Sequence, residues 1–272
     1  MAKISQAAKV RYSEKIKEYK KVVNDILENE KKIKQIIAQG DKGTNYKRLV
    51  LADENLNIVS YLLLMNNLSL NLLGVKNEAF LNEARKCIYK SIIYLEEVVT
   101  PYIDVPFSEL EERLATIESF DDIGRYRLVQ KMGFAIYSLI DAYGKNSKWK
   151  WSFVELEGRY TTVLKNLINF KTLVAKLSPH VEGYNERRAH LDLSLEMLKW
   201  VSSRYREKYE LSTLRIDDIK TGILYLHALR RILLLLGEKE EVETTKRKID
   251  VWTQKMEADL RKQEEEKGAL GK

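Results

Sequence analysis

Cysteine, proline and histidine are all scarce in this chain, and each scarcity narrows what the protein can be. A single cysteine, Cys87, in 272 residues excludes an intramolecular disulfide. Its place inside a helical pattern suits burial as a small hydrophobe in a reducing compartment. Only three prolines, Pro101, Pro106 and Pro179, interrupt stretches rich in Leu, Lys, Glu, Ile and Ala, so helix is favoured nearly throughout and no strand is required. The three histidines, His180, His190 and His227, form no His-Glu-x-x-His pair, and no Cys-x-x-Cys occurs. Also missing are a Gly-rich phosphate loop ending in Lys-Ser/Thr and a Gly-x-Gly-x-x-Gly after a strand, which argues against nucleotide-driven and zinc-dependent enzymes. The expectation is a non-enzyme with no cofactor and no metal.

Long clean hydrophobic runs are missing too. The most apolar windows, residues 58–65 and 223–236, are too short or are followed or interrupted by Asn66, Asn67, His227, Arg230 and Arg231, against the roughly 20 apolar residues a membrane span requires. They read as core helices. Behind Lys3, the charges Lys9, Arg11 and Lys15 break the apolar stretch that a secretory signal needs, so the expected location is cytoplasmic.

What is present is helix-forming and apolar: 44% hydrophobic residues, ample for a core without a metal or disulfide staple. The net charge of +7 is unevenly spread. Residues 1–50 hold 13 Lys/Arg against 6 Asp/Glu, residues 51–130 hold 7 against 13, and the remainder 27 against 21. Two readings follow: the basic first helix lies along the acidic segment, or it is an arm for an acidic partner.

The strongest pattern is an outline used three times, in residues 53–74, 122–144 and 218–237: an acidic start, an apolar helix of about twenty residues, a glycine, then a charged amphipathic helix. The first helix, residues 4–38, carries Tyr12, Ile16, Tyr19, Val23, Ile26, Ile33 and Ile37 in a 4-3-4-3 spacing with one lapse at Glu30, a coiled-coil-like seam stopped by Gly40, Asp41 and Gly43. Residues 46–73 are apolar all round, hence central, and pair with residues 77–99 as a hairpin. Pro101 and Pro106 mark the clearest boundary, with Ser108-Glu109-Leu110-Glu111 as a capping box opening a short helix. A second hairpin joins residues 122–143 to a continuous helix running from Trp149 to Val174. A helix over 182–209 follows, then an apolar one capped by Asp217-Asp218, then a terminal cap with Val242, Ile249, Trp252, Met256 and Leu260 as its stripe and disorder from Gly268 onward.

At Gly237-Glu238-Lys239-Glu240-Glu241-Val242, and less closely at Gly74-Val75-Lys76-Asn77-Glu78-Ala79, the chain resembles the turn between the two helices of a tetratricopeptide repeat. The three glycines stand about 70 and then about 93 residues apart, not at multiples of that family's 34-residue unit. The resemblance implies a concave groove that takes a peptide or helix of another protein.

The sharpest local cluster is Lys148-Trp149-Lys150-Trp151, flanked by Lys145 and Arg159. Two tryptophans between lysines suit stacking on bases or on a partner's side chains, while the same pattern also serves a helix that buries one Trp and leaves its lysines in water. A second group, Tyr184, Arg187 and Arg188, is continued by Arg204, Arg206, Lys208 and Lys246-Arg247-Lys248 into a basic strip, interrupted by Glu186, Glu196, Glu207 and Glu210. Glu186 and His190, one turn apart, read as a solvated helix pair, and Asp121-Asp122 with Asp217-Asp218 as helix starts.

These features converge on an all-α chain of about eight helices, in antiparallel hairpins stacked as an irregular solenoid or elongated bundle, divided as residues 1–104 and 105–272 or continuous. The expected function is a scaffold or adaptor binding a partner protein, with Lys148, Trp149, Lys150, Trp151, Arg159, Tyr184, Arg187 and Arg188 as contacts. Sequence-independent nucleic-acid binding is the alternative, and self-association stays open.

Overall fold

The computed structural model describes residues 4–40, 43–144 and 147–270, with side chains to Glu265. Asp41, placed above in the stop after the first helix, and Lys145, placed beside the tryptophan cluster, lie outside the described residues, as do residues 271–272. The fold is all-α. Among the described residues there are ten α-helices: α1 Gln6–Ala38, α2 Thr44–Leu73, α3 Glu78–Val99, α4 Phe107–Ala115, α5 Asp122–Tyr143, α6 Lys150–Asn166, α7 Phe170–Lys176, α8 Tyr184–Lys208, α9 Ile216–Leu236 and α10 Lys239–Leu270. A π-helical turn, Tyr209–Thr213, follows α8.

Two compact units are formed, Met1–Pro101 with Glu112–Lys150, and Tyr102–Glu111 with Trp151–Lys272. The first is built on α2, which packs against α1, α3 and α5. By length and composition α2 also meets the requirements of a membrane span. In this fold its Leu51, Ala52, Leu56, Ile58 and Val59 are inaccessible, and so is Asn55, which donates to the Leu51 carbonyl. Gly74 ends α2 in the left-handed region, φ 66°, where its N–H reaches the Leu70 carbonyl. Cys87 is buried on α3, and burial pushes its thiol up to about 11.

The lapse in the α1 seam has a structural explanation. Glu30 is 4% exposed and occupies the position that the 4-3 spacing assigns to an apolar residue. One carboxylate oxygen accepts from Tyr94 Oη at 2.8 Å and pairs with Lys34 at 2.6 Å and, more distantly, Lys90 at 3.7 Å. Burial would raise its pKa, but the Lys34 and Tyr94 hydrogen bonds and the Lys90 charge hold it below the ordinary value.

In the second unit α9 lies between α8 and α10. Gly222 permits the α8–α9 approach, since a Cβ there would sit 3.0 Å from the Ser202 carbonyl oxygen. α6 joins them through side chains: Thr162 Oγ1 bonds Tyr225 Oη at 3.1 Å, His190 Nε2 bonds the Leu164 carbonyl at 2.9 Å, and Gly158 lies under the Tyr205 and Tyr225 rings.

Several sequence expectations change here. The helix expected from Trp149 to Val174 is two, because Asn169 caps a new start by accepting from the Thr172 N–H at 3.3 Å. The Ser108 capping box is not the start of α4: the Pro106 carbonyl accepts from Glu109 and Leu110, and Glu111 reaches Lys171 at 2.6 Å instead of turning back. Asp121 does cap α5, accepting from Gly124 N–H at 2.7 Å. Asp217 and Asp218 do not cap α9, whose N-cap residue is Arg215; Asp218 is buried and joins Lys208 at 2.7 Å and Thr213 at 2.6 Å. The α10 backbone continues to Leu270, past the disorder expected from Gly268. The boundary expected at 104/105 falls within a segment that the second unit holds through Phe107 stacked on Phe170 at 4.6 Å and Asp104 on Arg231 at 3.0 Å.

Candidate interaction groove

The tryptophan pair is divided between the two units. Trp149 is half-buried in the first, with the Arg85 guanidinium 3.9 Å and the Lys148 ammonium 5.5 Å from its ring centre. Trp151 begins α6 in the second, 5.9 Å from the Arg204 guanidinium. Lys148 and Lys150 are exposed and Arg159 is half-buried. Tyr184 is the half-buried first residue of α8.

Arg187 is part of the scaffold. It is 8% exposed, and its guanidinium donates to the carbonyls of Lys176, Val181 and Glu182, fastening the loop between α7 and α8. Its guanidinium is thus turned inward onto three carbonyls rather than outward to solvent. Arg188, its neighbour, is exposed and pairs with Asp192 at 2.9 Å.

The α8 part of the basic strip is neutralised, while Lys246 and Arg247 of α10 stay exposed. Arg204 pairs with Glu207 at 2.7 Å, Arg206 with Glu210 at 2.8 Å and Lys208 with Asp218 at 2.7 Å. Arg206 and Lys248 also lie against Trp252, their charges 5.2 Å and 4.6 Å from its ring. Burial, and secondarily Arg206, lowers the pKa of Lys248. Among the described residues no three His, Cys, Asp or Glu side chains gather as metal ligands would. His190 is buried, its Nε2 on the Leu164 carbonyl at 2.9 Å.

Within the second unit, α7, α8 and the turn from α9 into α10 enclose an open groove of about 620 Å³. Its floor is Val174, Leu177, Leu191, Leu195, Leu233 and Leu236. Val174 is 52% exposed and Leu177, Leu195 and Leu236 are half-buried, so these four open to solvent, while Leu191 and Leu233 are buried beneath them. The rim is charged: Arg188 with Asp192 on one side, Lys199 bridging from α8 to Glu241 of α10 at 2.5 Å, and Glu196 and Glu238 besides.

Of the eight expected contact residues only Arg188 lines this groove. The leucines were passed over because each fits a core stripe when its own helix is read alone. A signal was available in Leu233 to Leu236, four consecutive leucines that span the circumference of a helix and cannot all face one core. Leu234 is accordingly 54% exposed, and Leu236 reaches the groove.

A second concavity, about 410 Å³, lies in the first unit between α2 and α5, walled by Tyr46, Leu49, Val50, Phe120 and Leu128 and bordered by the Lys131–Asp53 pair at 2.6 Å.

The TP0443 family model matches residues 8–260, and the chain belongs to that family. No curated protein and no solved structure matches it.

Proposed function

We propose that this TP0443-family chain is a binding module that holds a segment of another protein in the α7–α8–α9 groove. One observation carries the reading: a solvent-open floor of leucines between helices, rimmed by charge. A globular protein gains stability by covering such a surface, about 25 cal/mol per Å² of apolar area, so leaving it open is consistent with a partner that covers it. Spaced apolar positions between antiparallel helices suit an amphipathic helix inserting side chains at i, i+3 or i+4, and i+7. Arg188 stands on the rim, paired with Asp192.

The nucleic-acid alternative draws less support. Phosphate binding needs cations ready to displace counterions, and on α8 Arg188, Arg204, Arg206 and Lys208 each have a carboxylate partner, which leaves Lys246 and Arg247 of α10 as the exposed cations of the strip.

The test is an affinity pull-down from native extract, with and without nuclease, comparing the natural chain with Leu177→Asp/Leu236→Asp. Both positions are half-buried, so the variant is first required to melt with the natural chain. A protein captured in the presence of nuclease and lost by the variant supports the groove. Equal capture by both chains would sink it, and partners released by nuclease would transfer the reading to nucleic acid.

A further inference from the structure

The groove's rim identifies the chemistry of its occupant, an inference that rests on the groove being the binding surface. Four carboxylates, Asp192, Glu196, Glu238 and Glu241, line it against two cations, Arg188 and Lys199. Both cations are already engaged, Arg188 with Asp192 at 2.9 Å and Lys199 with Glu241 at 2.5 Å. That leaves Glu196 and Glu238 as net negative charge beside the leucine floor. Glu238 stands at the start of α10, where the helix dipole favours a carboxylate. Glu196 lies in the middle of α8 and has no such compensation.

The sign is opposite to that of the whole chain, which carries +7. A generally cationic protein attracts anions over most of its surface, so a locally acidic groove with an apolar floor selects against that background. We propose that the groove docks a cationic amphipathic helix from a partner protein, its apolar side chains on Val174, Leu195 and Leu236 and its Lys or Arg residues against Glu196 and Glu238. The α1 helix of a second copy is a poor occupant despite its basic character, since its apolar seam is already packed on α2.

The discriminating experiment uses three fluorescein-labelled peptides of about fifteen residues, with leucines at i, i+3, i+4 and i+7 and the remaining positions all Lys, all Glu or all Gln. Fluorescence anisotropy with the full chain at low salt is expected to show the Leu/Lys peptide binding at least about tenfold more tightly than the other two, with affinity falling as salt rises. Glu196→Lys/Glu238→Lys is expected to weaken the Leu/Lys peptide by about tenfold or more, with the melting temperature lowered only by the lost carboxylate at the start of α10 and unfolding still cooperative. Equal binding of the Leu/Gln and Leu/Lys peptides would overturn the charge inference and leave the groove reading standing. No binding by any of the three would overturn both, and Leu/Lys binding unaffected by charge reversal would place the site elsewhere and overturn the proposal.

Discussion

Individual buried charges are where this helical protein departs most from a simple apolar core. Lys165 of α6 is 2% exposed, and the acid whose charge acts on it, Asp104, is already held by Arg231 at 3.0 Å. Burial, only partly opposed by Asp104, brings its pKa down to about 8 from 10.5. The protonated form is therefore disfavoured in the folded state: below pH 8 the folded chain carries the full cost of the ammonium, and stability rises as pH goes from about 8 to 10.5. Lys165→Met removes that cost, so thermal melts at pH 7 should show it more stable by on the order of 3 kcal/mol, with the advantage vanishing near pH 10.5. Glu157 presents the same problem with opposite charge. It is 4% exposed, and burial raises its pKa even though Trp200 Nε1–H donates to it at 3.2 Å and Arg204 stands 3.8 Å away. A raised carboxylate pKa means stability that is present below the unfolded value and lost as pH rises through the folded one. Glu157→Gln keeps the acceptor for Trp200 without the charge. Its melting temperature relative to the natural chain should rise between pH 4 and pH 7, and a constant difference across that range would show the carboxylate to be paired without penalty.

At the scale of the helix, the sequence is legible wherever one face decides the packing, and misleading wherever a polar residue is doing structural duty. The α1 seam was readable from its 4-3 spacing, and Tyr12, Tyr19, Val23, Ile26, Ile33 and Ile37 are all half-buried as that spacing requires. What the spacing could not supply was the meaning of Glu30, because its partners Tyr94 and Lys90 come from α3 and no local pattern announces them. The α6–α7 break was hidden for a related reason. Leu167, Phe170 and Val174 continue the helical period across it, while the decisive group is the Asn169 side chain accepting from Thr172 N–H. Glu30 now carries a prediction. Its pKa is depressed, so the stabilisation it gives is present above the unfolded carboxylate value and lost as pH falls through the folded one. Glu30→Leu fills the seam with an apolar residue but removes the acceptor of Tyr94 Oη, while Lys34 and Lys90, about half exposed, turn to water, so it is expected to cost no more than about 1 kcal/mol at pH 7. Glu30→Lys puts a third cation beside Lys34 and Lys90 in a buried position and should cost about 3 kcal/mol or more. Amide hydrogen exchange along α1 reads both outcomes: protection retained in the first variant, lost in the second. Equal protection in the two would mean that α1 is held by its remaining seam and that Glu30 contributes nothing.

At the scale of the whole chain, helix content and the apolar helices were readable, but the grouping of helices was not. Prolines at 101 and 106 punctuate the sequence, and a reading based on punctuation divides the chain there. Packing divides it differently, because α5 lies against α2 and α3 while the segment Tyr102–Glu111 is held by α6, α7 and α9 side chains. Long-range partners such as Phe107 with Phe170, or Asp104 with Arg231, leave no trace in local composition, and neither does a groove whose walls come from four helices. The two divisions predict different fragments. A chain of residues 1–104 keeps α1, α2 and α3 but lacks Leu128, Val129, Met132 and Ile136, the buried face of α5. It would expose the apolar surfaces of α2 and α3 that α5 covers, and each large aliphatic side chain left uncovered forfeits about 1.5–3 kcal/mol. Residues 1–150 retain that face and every helix that packs on α2. The 1–150 fragment is therefore expected to unfold in one cooperative transition with intact near-ultraviolet circular dichroism, and the 1–104 fragment to bind a hydrophobic dye and melt without a transition. Cooperative unfolding of 1–104 would show that the hairpin of α2 and α3 with α1 suffices alone, and would make α5 an addition to the unit rather than part of its core.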